Sequence, residues 1–331
     1  MGPPVVWYSA AISLNERKEM HSAMRIGIAG IGGIGGYYGG KLALKYGPSR
    51  EHDIIFIARG DHLAAIRKKG LKLITVDGEY TAVPTLATDN PSEIGKLDIV
   101  FFCVKSYGLE DAARMLSSNI HEKTVVIPLL NGVNITERLR AALPRGTVLR
   151  GTVYIGSNII APGEVRQAGG SCQLIFGPDD KAQVETYRPI EDLLRKAGIK
   201  AELTADVAVP IWTKYIFVSP LAGLTSMLGK TFGEILEDPG SLKILEGLLR
   251  EVEAVARARG VNLPPDIVPA SIGKVSGFPH ATKTSMQRDY EKGNPIEIDI
   301  FTEYIMQSGN ELGIATPLHE RVYKTLMKKK T

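Results

Sequence analysis

The chain has 331 residues, of which 44% are hydrophobic and 23% are charged, and its formal net charge is +4. This composition excludes a disordered chain and supplies enough apolar side chains for a large core. So mild a positive charge argues against a nucleic-acid-binding surface, although it suits small anionic ligands. The length is sufficient for two domains.

The cysteine content and the hydrophobic pattern indicate in which cellular compartment the protein works. Two cysteines, Cys103 and Cys172, do not form a disulfide framework, and the six histidines are too scattered to predict a metal site. The longest apolar run, from Ile99 to Val104, is far shorter than a membrane span. Residues 1–23 lack a basic start and a long apolar stretch, so they do not resemble a signal peptide. We therefore expect a reducing, cytoplasmic location and no membrane partner.

From Met24 onward, strand and helix patterns alternate, which predicts a parallel sheet with crossover helices. Residues 1–23 show no clear period and are interpreted as an extension or a misassigned start. The predicted strands are Arg25–Ala29, Ile54–Ala58, Asp98–Val104 and Thr124–Leu129, and the predicted helices are Tyr37–Tyr46, Asp61–Lys69, Leu109–Leu116 and Glu185–Lys196. Asp77-Gly78 predicts a hairpin with a type I′ turn, and Val148–Ile160 and Cys172–Phe176 predict added antiparallel strands.

After about residue 205 the strand pattern stops and long helical patterns replace it. These helices are predicted at Val207–Leu228, Leu242–Arg259, Thr282–Lys292, Ile298–Leu312 and Pro317–Lys329. The sequence thus predicts an α/β fold, with a Rossmann-type parallel-sheet domain over residues 24–204 and an all-α domain over residues 205–331.

A glycine-rich turn joins the first predicted strand to the first helix. It matches the dinucleotide-binding pattern G-x-G-x-x-G through Gly30, Ile31, Gly32, Gly33, Ile34 and Gly35. In such a turn the first glycine allows the sharp bend, the second allows a pyrophosphate to approach, and the third allows helix and strand to pack closely. Gly36, Gly39 and Gly40 continue the series, and each weakens a helix by about 1 kcal/mol unless close packing or a ligand compensates.

The end of the second strand predicts which dinucleotide binds. NAD-binding proteins usually carry an acidic residue there, whereas this chain carries Arg59, whose guanidinium can pair with a 2′-phosphate. Asp61 follows closely and is interpreted as the cap of the next helix. Taken alone, Arg59 also fits a solvated loop arginine. In its context it predicts NADP(H).

Two further polar residues follow buried strands. Lys105 closes the third strand and Asn131 closes the fourth, and the carboxyl ends of parallel strands line the crevice where ligands bind. By sequence alone, an exposed lysine and a turn-forming Asn-Gly pair are about as plausible as a functional role.

From Met24 to the C-terminus the sequence resembles the ketopantoate reductase (2-dehydropantoate 2-reductase) family. The resemblance depends on Gly30-x-Gly32-Gly33-x-Gly35, Val104-Lys105-Ser106-Tyr107, Asn131-Gly132-Val133, Trp212-Thr213-Lys214, Thr284-Ser285-Met286, Glu297-Ile298-Asp299 and Gly313-Ile314-Ala315-Thr316-Pro317. Together, in this order and spacing, these motifs are specific, although none is specific alone.

The resemblance implies NADPH-dependent reduction of 2-dehydropantoate to pantoate, in a cleft between a Rossmann domain and a helical domain. It implies that Lys214 is the catalytic proton donor, and that Arg59, Lys105 and the glycine turn bind the cofactor. It also implies that Asn131 lies near nicotinamide and substrate, that Ser285 binds substrate, and that Glu297 contacts cofactor or substrate. The chemistry is reasonable, because a lysine with an ordinary pKa near 10.4 begins protonated and can serve as a general acid.

One part of the sequence departs from the family. The family usually carries asparagine four and eight residues after the catalytic lysine, where this chain has Val218 and Ala222. The substrate therefore has two alternatives, 2-dehydropantoate or another branched 2-oxo acid. A non-catalytic NADP-binding sensor is a third interpretation, which the retention of Lys214, Ser285 and Glu297 argues against. A homodimer is expected only from the general frequency of two-fold dimers.

Overall fold

The computed structural model of the chain describes residues 23–328. The predicted extension over residues 1–23 therefore lies outside the described residues except for its last member. The strands are β1 Arg25–Ala29, β2 Asp53–Ile57, β3 Leu71–Thr75, β4 Gly78–Ala82, β5 Leu86–Thr88, β6 Ile99–Phe102, β7 Val125–Pro128, β8 Thr147–Val148, β9 Arg150–Ala161, β10 Glu164–Gly177 and β11 Lys200–Leu203.

Helices occupy the connections of the first half and nearly all of the second half. They are α1 Gly33–Tyr46, α2 Gly60–Lys69, α3 Leu109–Leu116, α4 Ile135–Ala142, α5 Arg188–Lys196, α6 Ala208–Leu228, α7 Phe232–Glu237, α8 Pro239–Ala258, α9 Ile267–Val275, α10 Ser285–Glu291, α11 Tyr304–Leu312 and α12 Pro317–Lys328. A single π-helical stretch, Asp299–Glu303, leads into α11, so the predicted helix from Ile298 does not begin as a regular α-helix.

Six strands form a parallel sheet in the order β5-β2-β1-β6-β7-β8. This is the Rossmann order, in which the chain runs outward from a central strand first to one side and then to the other. Buried aliphatic and aromatic side chains fill β1, β2 and β6, as a sheet covered on both faces requires. The predicted α/β class with a Rossmann-type sheet and a helical C-terminal half is confirmed.

A second, mixed sheet packs against α1. In it β9 and β10 form the long antiparallel pair that the sequence predicts, while β10 also pairs in parallel with β3 and β11. The predicted hairpin of β3 and β4 is confirmed, but its type I′ turn is wrong. Thr75 pairs with Gly78, so Val76 and Asp77 occupy the turn, and neither has the positive φ that a type I′ turn requires.

One hydrophobic core joins the Rossmann sheet to the helical half. It contains Val100 and Phe102 from β6 together with Trp212 from α6 and Leu248 from α8, all of them buried. Because the two halves share this core, the carboxyl edge of the sheet is held against α6 and the segment before α11. The cleft therefore lies between the carboxyl edge of the sheet and these helical elements.

Candidate active site

The sheet brings four predicted site residues to one edge. Gly30, Arg59, Lys105 and Asn131 follow the carboxyl ends of β1, β2, β6 and β7 within three residues. In an open parallel sheet this edge, beside the strand where the order reverses, is the ligand-binding crevice. The sequence prediction that these positions share an edge is therefore confirmed, whereas their roles stay predictions.

The glycine turn has room for a phosphate at one position only. A Cβ on Gly30 would lie 2.9 Å from Val104, and its φ of 93° favours glycine; a Cβ on Gly35 would lie 2.0 Å from the carbonyl oxygen of Gly30. A Cβ on Gly32, by contrast, would meet no atom within 4 Å. Gly32 is the N-cap of α1 and has no side chain to cap the amides of the first turn, which therefore remain suitable donors for an anion. These residues fit a dinucleotide pyrophosphate.

Packing explains the glycines that follow in α1. A Cβ on Gly36 would lie 2.6 Å from Val165 of β10, and one on Gly40 would lie 3.1 Å from Leu73 of β3. The helix therefore lies directly on the second sheet, and the predicted compensation by close packing is confirmed at these positions. Ile31 is buried at the turn, while Ile34 is partly exposed in the first turn of α1.

Arg59 is exposed at the N-terminus of α2. Within residues 23–328 its guanidinium makes no hydrogen bond or ion pair, so it is free to meet a ligand. Asp61 lies in the first turn of the same helix, whereas Arg59 is the N-cap residue, and no side chain accepts a capping hydrogen bond from the backbone there. The interpretation of Asp61 as the helix cap is therefore wrong.

Lys105 lies between two carboxylates of the helical half. Its ammonium is 3.0 Å from Oδ2 of Asp289 and 3.0 Å from Oε2 of Glu297. Burial alone would lower the pKa of Lys105, but the charges of Glu297 and Asp289 outweigh burial and raise it. The structure thus brings together two predicted site residues, Lys105 and Glu297, and adds a third group, Asp289.

A hydrogen-bonded network holds Glu297 in place. Its Oε1 accepts the backbone N–H of Ser106 at 3.1 Å, and the hydroxyl of Ser106 donates to Asp299 at 2.8 Å. Asp299 also accepts from Arg138 of α4 at 3.0 Å. Glu297 is only 4% exposed, so these contacts fix a nearly buried carboxylate at the crevice.

Lys214 and Asn131 meet across the cleft. The ammonium of Lys214, on α6, donates to Oδ1 of Asn131 at 2.8 Å. Burial lowers the pKa of Lys214 to about 8, and the negative charge of Glu297 opposes that change. The two residues line a cavity together with Leu130, Gly132, Thr152, Ile211, Tyr215, Val218 and Phe301.

The two positions that depart from the family have different surroundings. Val218 lines the cavity beside Lys214, one helical turn away, whereas Ala222 is 1% exposed and does not line it. The side of α6 that follows Lys214 is thus apolar where it faces the cavity. Thr225, still further along, bonds to the hydroxyl of Thr284 at 2.9 Å and so joins α6 to the start of α10.

Ser285 is the first residue of α10 and is exposed. It does not line the cavity around Lys214, so the structure does not bring these two predicted site residues together.

Sequence reasoning missed Asp289, Thr152 and Phe301. Asp289 lies four residues after Ser285, which puts both on one face of α10, so helical spacing could have found it. Thr152 and Phe301 reach the cavity from β9 and from the π-helical stretch, and only the tertiary fold brings them there.

Among residues 23–328 there is no group of three or more His, Cys, Asp or Glu side chains arranged to hold a metal ion. No helix in the described part of the chain is long and apolar enough to cross a membrane.

A Rossmann sheet with a glycine turn, and a partly buried lysine facing its carboxyl edge, define an NAD(P)-dependent oxidoreductase. Comparison with known proteins refines this class. The sequence profile described as ketopantoate reductase PanE/ApbA matches residues 26–181, and the profile of its C-terminal region matches residues 206–330. The chain belongs to the ketopantoate reductase family.

Individual relatives agree with this family. An uncharacterized oxidoreductase of Bacillus subtilis, YkpB, is 30% identical, over 92% of this chain and 98% of its own. A 2-dehydropantoate 2-reductase of Mesorhizobium japonicum is 29% identical, over 90% and 95% respectively. The crystal structure of 2-dehydropantoate 2-reductase from Porphyromonas gingivalis is 32% identical, with a TM-score of 0.79 over 92% of this chain and 99% of that one.

Proposed function

We propose that the chain reduces a 2-oxo acid to a 2-hydroxy acid with a reduced nicotinamide dinucleotide, preferentially NADPH. The observation that carries the proposal is the contact of 2.8 Å between Lys214 and Asn131 at the carboxyl edge of a Rossmann sheet. This contact supports the proposal because, in such a fold, the reactive end of a dinucleotide would lie at that edge, within reach of a proton donor there.

The cofactor would be held by the glycine turn Gly30–Gly35 and by Arg59 and Lys105. The open space at Gly32 suits the pyrophosphate, and the unpaired guanidinium of Arg59 suits a 2′-phosphate. When bound, the reduced nicotinamide supplies a hydride to the carbonyl carbon. The chain itself then has to stabilise and protonate the carbonyl oxygen.

Lys214 is suited to that task. With a pKa of about 8 it is mostly protonated at neutral pH, yet its proton is acidic enough to transfer readily. Asn131 accepts one hydrogen of the ammonium and so directs the others, while Glu297 helps to keep the group charged. In the proposed roles Lys214 donates the proton, Asn131 orients it, and Ser285 offers a hydroxyl to the substrate carboxylate.

The first candidate substrate is 2-dehydropantoate. The names of several relatives, at 26–29% identity, support it. So does the retention of Lys214, Ser285 and Glu297, which the family resemblance assigns to that reaction.

The second candidate is another branched 2-oxo acid. Val218 favours it, because this apolar side chain lines the cavity where the family usually carries an amide. A 4-hydroxyl on the substrate would then find no partner on that side of Lys214, and an apolar lining discriminates weakly between substrates with and without a hydroxyl.

Following NADPH absorbance tests the proposal. The purified protein is mixed with NADPH and 2-dehydropantoate, its analogue without the 4-hydroxyl, other 2-oxo acids, or no substrate. If NADPH is oxidised only when a 2-oxo acid is present, the proposed function is supported. If the protein binds NADPH but none of the 2-oxo acids causes its oxidation, the protein is a sensor. A preference of ~10³-fold or more in kcat/KM for the hydroxylated substrate exceeds what an apolar pocket gives and would favour 2-dehydropantoate.

A further inference from the structure

One stripe of α6 is only partly buried. Between Ile211 and Met227 every side chain of this helix is buried except those of Thr213, Lys214, Phe217 and Val218. These positions recur at helical spacing and so share one face. Lys214 and Val218 line the cavity, and Phe217 does not, but Phe217 lies one helical turn after Lys214 and next to Val218, so it is a neighbour of that lining on α6.

An aromatic cluster extends that apolar face. The ring of Phe278, from the segment between α9 and α10, stacks on Phe217 with centroids 5.7 Å apart and an interplanar angle of 21°. Phe278 also packs edge to face with Phe232 of α7, with ring centroids 5.4 Å apart and an interplanar angle of 73°. Phe232 is buried, but Phe278 is 46% exposed, so the cluster keeps one open aromatic surface. The exposed part of the Phe278 ring is therefore available for contact with a ligand.

The segment that carries Phe278 is fastened to the helices of the cleft. The carbonyl oxygens of His280 and Thr282 accept from the backbone N–H groups of Gly233 and Phe232, each at 3.0 Å. Farther along, Thr284 bonds to Thr225 of α6. One continuous segment, 278–285, therefore holds the exposed ring of Phe278 at one end and the hydroxyl of Ser285 at the other.

We propose that Phe217 and Phe278 bind the side chain of the substrate, and that this side chain is an aryl group or an apolar group of similar size. The inference rests on the proposed function and gives its substrate class. The ring would stack on the exposed phenyl surface, which aromatic pairs favour beyond simple burial. The 2-oxo carboxylate end would remain beside Lys214 and Asn131.

NADPH and Lys214 together supply everything that the proposed reduction consumes. A hydride from NADPH reaches C2, and a proton from Lys214 reaches the carbonyl oxygen, so the 2-oxo acid becomes a 2-hydroxy acid and the cofactor becomes NADP⁺. The lysine regains its proton from solvent. The apolar side chain forms and breaks no bond, and it serves only to position C2.

The test measures kcat/KM, with saturating NADPH, for phenylpyruvate, benzoylformate, 2-oxobutanoate and 2-dehydropantoate. Wild type, Phe278→Ala, Phe278→Leu and the control Tyr80→Ala are compared; Tyr80 is 41% exposed but lies on β4, in the second sheet. We expect wild type to prefer an aryl substrate to 2-dehydropantoate by ~10-fold or more. In Phe278→Ala that preference should fall by about 5–10-fold, through KM, while 2-oxobutanoate changes by less than about 2-fold.

Phe278→Leu should retain part of the preference, and Tyr80→Ala should retain all of it. A wild-type preference for 2-dehydropantoate, or an equal loss for every substrate in Phe278→Ala, would overturn the inference and leave the proposed function intact. If wild type reduces none of the four acids, the proposed function fails as well, and the inference fails with it.

Discussion

Lys214 and Asn131, from opposite sides of the cleft, are joined by a hydrogen bond of 2.8 Å in which the lysine is the donor. The acceptor is an uncharged amide oxygen, so it orients the ammonium without holding its proton as a carboxylate would. Burial can therefore lower the pKa of Lys214 to about 8. A proton donor works best when its pKa lies near the working pH, and this pair achieves that without a directly bonded carboxylate.

The first prediction concerns pH. The rate kcat should fall as pH rises through about 8, because Lys214 then loses the proton that it donates. The charge of Glu297 raises the pKa of Lys214, so Glu297→Gln should move the fall to lower pH. Measuring kcat between pH 6 and 10, with saturating cofactor and substrate, checks both statements. A flat profile in wild type, or a shift to higher pH in the variant, would contradict the assignment.

The second prediction separates chemistry from cofactor binding. Lys214→Ala should lower kcat by ~10²–10⁴-fold, the usual contribution of a general acid, and leave the Kd for NADPH within a few-fold. Lys105→Ala is the contrasting variant, because Lys105 follows β6 at the cofactor edge, and its removal would take the ammonium away from Asp289 and Glu297. It should raise the Kd for NADPH. Fluorescence titration and steady-state kinetics on the same preparations distinguish the two, and a Lys214→Ala enzyme with near-normal kcat would refute the role of this lysine.

Patterns confined to neighbouring residues predicted much of this fold. Buried strands β1, β2, β6 and β7 and helix α3 stand out by periodicity, and their order predicts the carboxyl edge where Gly30, Lys105 and Asn131 meet. Short elements such as β5 and β8 carry too few residues to show a period, and they form because longer strands offer them an edge.

The site depends more on tertiary contacts, so less of it could be predicted. The pairing of Lys105 with Asp289 joins residues 184 positions apart, and no local pattern encodes such a contact. The stacking of Phe278 on Phe217 likewise arises only when the segment before α10 is fastened to α7. The sequence shows that each of these residues is chemically suitable, and the fold decides which of them meet.

The third prediction uses two glycines of the same turn. Gly32→Ala should fold normally, since its Cβ would meet no atom within 4 Å, but it should weaken NADPH binding by filling the space left for the pyrophosphate. Gly35→Ala should instead destabilise the fold, because its Cβ would lie 2.0 Å from the carbonyl oxygen of Gly30. Thermal unfolding and cofactor titration of both variants check this. Tight NADPH binding by Gly32→Ala would remove the turn from the cofactor site.

The fourth prediction concerns cofactor choice. Arg59 is exposed at the end of β2 and unpaired among the described residues, so its guanidinium is available for a 2′-phosphate. Wild type should therefore bind NADPH more tightly than NADH. In Arg59→Ala the ratio of the two Kd values should fall by about 10-fold or more, the effect of losing a charge-assisted pair, while NADH binding stays nearly constant. Equal affinities in wild type, or an unchanged ratio in the variant, would exclude Arg59 from the site.

The last prediction links the reaction to stability. A partly buried ammonium without a directly bonded carboxylate destabilises the folded state, and the same loss of hydration lowers the pKa of Lys214. Lys214→Met should therefore raise the free energy of unfolding by about 1–3 kcal/mol at pH 7, even though it abolishes proton donation. A gain of this kind is expected where a group is kept for function at the expense of stability.

The gain in stability of Lys214→Met should become smaller as pH rises. Below about pH 8 the lysine is protonated in both the folded and the unfolded protein, so the cost is fully present. As pH rises from about 8 toward the ordinary value of 10.5, the folded state releases its proton first and the cost disappears. The difference between Lys214→Met and wild type, measured by urea unfolding, should thus be largest near pH 7 and smaller at pH 10. Lys243→Met is the control, since Lys243 is exposed on α8 and its substitution should give a small difference at both values. A Lys214→Met protein less stable than wild type at pH 7, or a gain that grows with pH, would show that burial of this ammonium does not destabilise the fold.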